Sequence, residues 1–127
     1  MNLLLDTPAF LWSLEQPRKL SSAAKRAIRD VGNTILVSAV VAWELSIKAK
    51  AGRLDLKNLL FDFSSVLVER SFLEMEITLD HGIRAGLLPL HHKDPFDRML
   101  VAQAQSESLF ILSCDEVFDL YGIQRVW

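Results

Sequence analysis

One cysteine, Cys114, is all the sequence contains. A lone thiol excludes an internal disulfide and a cysteine-built zinc site, and it fits a reducing cytosol. Positive charge is also short. Fourteen Lys and Arg stand against 16 Asp and Glu, a formal charge of −2. Non-specific binding to phosphates needs a clear cationic excess, so the overall balance mildly discourages a nucleic-acid partner. Long apolar runs are missing too: the longest, ILVSAVVAWELSI, is interrupted by Ser38 and Glu44 and is too short for a bilayer. The opening MNLLLDTPAF has no basic flank and its apolar run breaks at Asp6, so no signal peptide is expected. A soluble cytoplasmic protein is the expectation, with no membrane partner. Internal repeats, low-complexity tracts, linkers and a glycine-rich phosphate loop are all absent.

What remains is 127 residues, half of them hydrophobic and a quarter charged, which suits one domain spanning 1–127 with a core of its own. Strand and helix alternate along it. NLLL reads as a short apolar strand, followed by a helix from Thr7-Pro8 that carries Phe10, Leu11 and Leu14. Ser21 or Ser22 caps AAKRAIRDV, which Gly32 ends at the C′ position. TILV is a second strand, and Ser38 caps a helix to about Ala51, closed by Gly52. A further helix is expected over roughly Asn58 to Arg70, with Leu59, Leu60, Phe63, Val66 and Leu67 inward. FLEMEI, LFILS and IQRVW complete the strands, and Thr78 caps LDHGIRAG. A helix from Pro95 to about Glu107 and a short DEVFDLYG helix ending at Gly122 lie among them. Uninterrupted apolar strands separated by helices predict a parallel sheet covered on both faces.

In such sheets ligands bind outside the carboxyl ends of the strands. Asp6 ends the first strand and Asp115 follows the fourth by two residues, so both belong to that edge. Glu44 stands six residues past the cap of the helix that leaves the second strand, roughly 9 Å along it, within reach of the same edge. Asp97 lies in the first turn of the helix that runs down to the fourth strand, so its own start is up at the carboxyl edge. Read locally, Asp94 is an N-cap, Pro95 fits the first helical position, and Asp97 meets the positive end of the helix dipole. Glu44 has an alternative partner in Lys48 at i,i+4, a surface contact of about 0.3–0.5 kcal/mol. Yet a carboxylate flanked by Trp43 and Leu45 in so apolar a run calls for a special partner. Four converging carboxylates would raise one another's pKa values, and a divalent cation removes that conflict. All-oxygen ligands suit Mg²⁺ or Mn²⁺. Such an ion makes water nucleophilic and stabilises charge on a phosphoryl oxygen, which points to phosphodiester hydrolysis.

Four ordered stretches, LLLDTPAFLW, VSAVVAWELSIKAKAGRLDL, LPLHHKDPFDRMLVAQA and ILSCDEVFDLYGIQRVW, resemble the PIN-domain ribonucleases. The resemblance is greatest to the toxin half (VapC-type) of toxin–antitoxin pairs, in a subgroup carrying H-x-D-P-F-D-R, here His92, Asp94, Pro95, Phe96, Asp97 and Arg98. It implies a three-layer α/β/α fold around a mostly parallel sheet of four to five strands. It also implies an acidic site of Asp6, Glu44, Asp97 and Asp115 holding Mg²⁺ or Mn²⁺, with Asp6 and Asp97 as direct ligands. RNA is then the substrate, an antitoxin the protein partner, and a homodimer the assembly. By the same resemblance Asp94 is a helix cap and Arg98 either touches phosphate or holds Asp94 and Asp97. The basic group Lys48, Lys50, Arg53 and Lys57 would lie beside the RNA backbone. Cys114 is a loose fit to the family pattern.

The adjacent His91 and His92 diverge and are not expected to chelate one ion; His92 is expected to hydrogen-bond its loop. Trp12, Trp43, Phe61 and Phe63 are expected in the core, with one or two free to line an antitoxin groove between the early helices. A second basic group, Lys25, Arg26 and Arg29, reads as a solvated helix face. Other readings fail on spacing. A phospholipase D motif from His91 and Lys93 would need Asp where Arg98 stands, and a haloacid-dehalogenase phosphatase would need Asp where Pro8 stands. The remaining alternatives are a housekeeping or structure-specific PIN nuclease and a non-catalytic PIN interaction module.

Overall fold

Leu3, Leu4 and Leu5 are consecutive in one strand, and all three are fully buried. Neighbouring side chains of a strand point to opposite faces, so both faces of this strand are covered. The computed structural model, which describes residues 1–52 and 56–127, shows how. Strands β1 (Asn2–Leu5), β2 (Thr34–Ser38), β3 (Leu73–Met75), β4 (Phe110–Leu112) and β5 (Arg125–Val126) form one wholly parallel sheet in the order β3-β2-β1-β4-β5. The register pairs Leu4 with Leu36 on one side and with Ile111 on the other.

Helices α1 (Thr7–Glu15) and α2 (Ser22–Arg29) join β1 to β2, and α3 (Ala39–Lys50), α4 (Lys57–Phe61) and α5 (Phe63–Glu69) join β2 to β3. Helices α6 (Leu79–Leu87) and α7 (Pro95–Ser106) carry the chain back across the sheet to β4. The path steps one way from β1 to β3 and the other way from β3 to β4. Right-handed crossovers therefore put α1–α5 on one face and the packed pair α6–α7 on the other. The direction reverses between β1 and β4, whose carboxyl ends lie side by side, with Asp6 N donating to Leu112 O (3.3 Å). A crevice at such a point is where this class of sheet binds ligands.

Local chemistry accounts for most element ends. Ser21, Ser38 and Thr78 accept from the first-turn amides of α2, α3 and α6, and Gly122 closes the last 3₁₀ turn (Glu116–Tyr121) at φ 74°. Three expectations need correction. Gly32 does not end α2: the helix stops at Arg29, and Asp30 folds back to accept from the Gly32 amide (2.8 Å). The helix expected from Asn58 to Arg70 is two helices, broken at Asp62 (φ −137°, ψ 48°). The break turns Phe63 inward to stack on Phe10 (centroids 5.4 Å) and buries Leu67, while Phe61 stays outside at 93% exposure. Trp43 is likewise no core residue. It is 57% exposed on α3 and meets Phe96 of α7 edge-on (5.0 Å), which ties the two helices together above the sheet edge. Trp12, by contrast, packs on the core beside Trp127 (6.0 Å). Arg53 lies outside the described residues, so the basic group of α3 and α4 is seen only through Lys48, Lys50 and Lys57.

Candidate active site

Asp6 leaves β1 at its carboxyl end and caps α1. Its Oδ1 accepts from the Ala9 amide (2.9 Å) and its Oδ2 from the Ser113 hydroxyl, just past β4. Ser113 Oγ in turn accepts from the Asp115 amide (3.0 Å), so one buried hydroxyl ties the ends of the two strands together. Burial pushes the Asp6 carboxyl up to about 6, the charges of Asp115 and Glu44 add to this, and the bonds from Ser113 and Ala9 only partly oppose it.

Glu44 reaches the same place from α3. It is 7% exposed, and its oxygens accept from Thr7 Oγ1 (2.8 Å) and from Lys48 Nζ. The i,i+4 partner foreseen for Glu44 is therefore present, and so is a second one on α1.

Asp97 comes from the other face of the sheet. Asp94 caps α7 by accepting from the Phe96 amide (2.8 Å), which places Asp97 in the first turn with Pro95 ahead of it. A helix start favours a carboxylate charge. Burial overrides that preference here and, with the charges of Asp94, Asp6 and Glu44, pushes Asp97 up to about 7 against the opposing influence of His92. Among the described residues no group donates a hydrogen bond to either Asp97 oxygen; the His92 Nε2 stands 4.0 Å away.

Asp115 caps the last 3₁₀ turn, with Oδ1 accepting from the Val117 amide (3.0 Å) and Oδ2 bonded to His92 Nε2 (2.9 Å). Partial burial would raise this carboxyl, but His92, the Val117 amide and Arg125 together hold it below the usual carboxylate range. The neighbouring Cys114 thiol is exposed, and burial of its base plus the charges of Asp6 and Asp115 push it up, away from reactive thiolate.

The structure thus brings Asp6, Glu44, Asp97 and Asp115 near enough for their charges to act on one another at the carboxyl edge, with Asp6 and Glu44 set back from the tightest cluster. Ligand atoms of His92, Asp97 and Asp115 lie within 4.8 Å of one another. Two carboxyls held up at about 6 and 7 by burial and mutual repulsion, one of them with no internal donor, form an oxygen-rich set that fits a divalent cation.

Two residues sit differently from their expectation. His92 does not bond its own loop. It is buried, and it joins Tyr121 to Asp115. Its pattern in sequence, one of two adjacent histidines in a polar turn, carries no sign of this. Arg98 touches neither Asp94 nor Asp97, and its guanidinium is not free for phosphate. It donates to the carbonyls of Ala85, Gly86, Leu88, Pro89 and His92, fastening the segment that follows α6. Ser113 and Thr7, the hydroxyls that hold Asp6 and Glu44, carry no signal in the sequence beyond lying within two residues of an acid.

A family model of the PIN domain matches residues 3–123. No curated protein matches significantly. Solved structures of similar fold include VapBC2 from Rickettsia felis bound to a promoter DNA fragment (TM-score 0.70, 13% identity, all of both chains). DNA-bound VapBC from Salmonella typhimurium aligns at TM-score 0.69 with 15% identity over 98% of this chain and 96% of that one. A toxin–antitoxin complex from Klebsiella pneumoniae aligns at 0.60 with 22% identity over 89% and 86%.

Proposed function

The chain belongs to the PIN-domain family, and on that premise we propose that it is a divalent-cation-dependent endoribonuclease, the toxin half of a VapC-type toxin–antitoxin pair acting in the cytoplasm. One observation supports the reading: acids from four separate elements act on one another's charges near the reversal point of the sheet, and one of them, Asp97, has an uncommitted carboxylate. Asp6 and Asp97 are the direct ligands for Mg²⁺ or Mn²⁺, and Glu44 and Asp115 complete the set. Bound there, such an ion would make water nucleophilic near neutral pH and would stabilise charge on a phosphoryl oxygen. The chain supplies placement. Ser113 and Ala9 orient Asp6, Thr7 orients Glu44, and the cap of α7 aims Asp97.

The two partner surfaces differ in charge. Trp43 and Ile47 on α3 and Phe61 on α4 are exposed, and the same two helices carry Lys48, Lys50 and Lys57, which suits an antitoxin segment carrying apolar and acidic side chains. The α6 face offers Leu79, Ile83 and Leu87 at i,i+4 spacing, with open Gly82 and Gly86 between them and Asp80 and Arg84 on one flank. An antiparallel copy crossing at Gly82 sets each Asp80 against the other's Arg84, so this face is assigned to the homodimer.

The deciding experiment is cleavage of single-stranded and structured RNA by the purified chain with Mn²⁺ or Mg²⁺, with EDTA as control. Asp6→Asn and Asp97→Asn are expected to abolish cleavage and to relieve growth arrest on expression. Full activity in Asp97→Asn removes that residue from its role. A wild-type chain that leaves every RNA intact makes the protein a binding module.

A further inference from the structure

His92 is built into the protein more firmly than a loop residue needs to be. Its ring lies parallel to that of Tyr121 (centroids 5.6 Å, 5° between planes) and tilts against the fully buried Phe118 (4.8 Å). The Tyr121 hydroxyl oxygen is 2.8 Å from the His92 amide nitrogen and 3.2 Å from Nδ1. On the other side, Nε2 is 2.9 Å from Asp115 Oδ2 and 4.0 Å from Asp97 Oδ2.

One arrangement of the hydrogens satisfies all of these contacts with a neutral ring. The backbone amide has only a hydrogen to give, so the Tyr121 oxygen accepts it. The phenol keeps one hydrogen of its own, and the atom at 3.2 Å able to take it is Nδ1. A neutral imidazole accepting at Nδ1 carries its hydrogen on Nε2, and that hydrogen points at Asp115. The Nε2 lone pair is then absent, so His92 is no ligand for a cation even though it lies among ligand atoms.

We propose that Tyr121 and His92 form a hydrogen-bond relay that positions Asp115, so that the cation affinity of the site depends on a histidine outside the acidic set. The proposal rests on the reading of Asp6, Glu44, Asp97 and Asp115 as a cation site. Asp115 Oδ2 has a second lone pair free for an ion, and the relay holds it facing Asp97 across the gap an ion would fill. Val117 alone, bonded to Oδ1, leaves the carboxylate free to swing about that bond. Metal sites commonly use such outer partners, and losing one typically costs about 10–100-fold in affinity.

The test needs no RNA, so it separates this proposal from the assignment of substrate. ¹⁵N NMR of the full chain, alone and with Mg²⁺, is expected to show His92 with its proton on Nε2 in both states. Calorimetry with Mn²⁺ is expected to give about 10–100-fold weaker binding for His92→Phe, which keeps a ring in the stack but donates nothing. His92→Gln, whose amide still donates, restores most of the loss. Tyr121→Phe keeps the ring and frees the tautomer, giving a smaller loss and a mixed ¹⁵N signature. Each variant is compared at matched thermal stability. ¹⁴N coupling from His92 in the Mn²⁺ electron-spin spectrum makes it a direct ligand and overturns the relay. Unchanged Mn²⁺ affinity in a folded His92→Phe overturns it as well.

Discussion

Asp6 and Asp97 sit at one crevice and are both pushed well above an ordinary carboxylate, to about 6 and about 7, yet the protein holds them in opposite ways. Asp6 is 4% exposed, caps α1, and has an internal donor on each oxygen. Asp97 is partly open, caps nothing, and among the described residues receives no hydrogen bond. The first acid is part of the fold as well as the site. The second has been left unsatisfied by the fold, and only an outside cation or a proton relieves it. One side of the crevice is therefore scaffold and the other is its working face.

The largest effect that separates them is in stability. At pH 5.5, where both acids are largely protonated, Asp6→Ala loses a cap and the Ser113 bond and is expected to lower stability by about 1–2 kcal/mol. Asp97→Ala at that pH is expected to be near neutral. At pH 8 without cation Asp97→Ala should raise the melting temperature, because it removes a charge penalised by burial and repelled by Asp94, Asp6 and Glu44. Both substitutions abolish cation binding. Thermal melts of the two variants at both pH values check this, and equal losses for both would erase the distinction.

Arg98 gives an effect of similar size from outside the acid set. It bonds five carbonyls of the segment that carries His92, and Arg98→Ala should cost about 1.5–3 kcal/mol in chemical denaturation. Arg98→Lys should recover little, since an ammonium cannot reproduce the planar fork.

The pH dependence sharpens the comparison further. Folded Asp6 and Asp97 titrate above the unfolded value of 3.8, so the folded state holds extra protons between that value and about 7. The contribution of these two acids to stability without cation is therefore greatest at low pH and falls as pH rises through this window. Cation binding requires the deprotonated forms, so Mn²⁺ stabilisation should be small at pH 5.5 and grow towards pH 8. Melting curves with and without Mn²⁺ across pH 5–8 measure it; a constant difference would show that Asp97 is not the titrating ligand.

How much of this was legible in the residues follows the same division. The parallel sheet is readable because Leu3–Leu5 and Ile111–Leu112 are apolar without alternation, and a parallel sheet puts Asp6 and Asp115 at one edge. Asp97 needed a further step, the direction of α7, which its N-cap and proline disclosed. The groups that aim the acids were not readable. Ser113 and Asp6, or His92 and Tyr121, are far apart in the chain, and a single serine or histidine shows no periodicity that announces a long-range bond. The break at Asp62 was hidden for a similar reason: the apolar spacing from Leu59 to Leu67 is continuous, and what divides the helix is the tertiary demand of Phe10 on Phe63.

The smallest predicted effect concerns Lys48, which stands where scaffold and working face meet. It is 36% exposed and pairs with Glu44, whose other oxygen is held by Thr7. Solvent screens such a pair, so Lys48→Met should lower stability by less than about 1 kcal/mol. Its influence on the site is of the opposite sign, because the ammonium and a cation compete for the same carboxylate. Mn²⁺ affinity should therefore rise severalfold in Lys48→Met, read by calorimetry. If Lys48 leaves Glu44 for phosphate when RNA arrives, the same substitution reduces the slope of RNA affinity against salt by about one. An unchanged slope with tighter Mn²⁺ binding would keep Lys48 as a stand-in counter-ion for Glu44, and RNA steering would pass to the exposed Lys50 and Lys57.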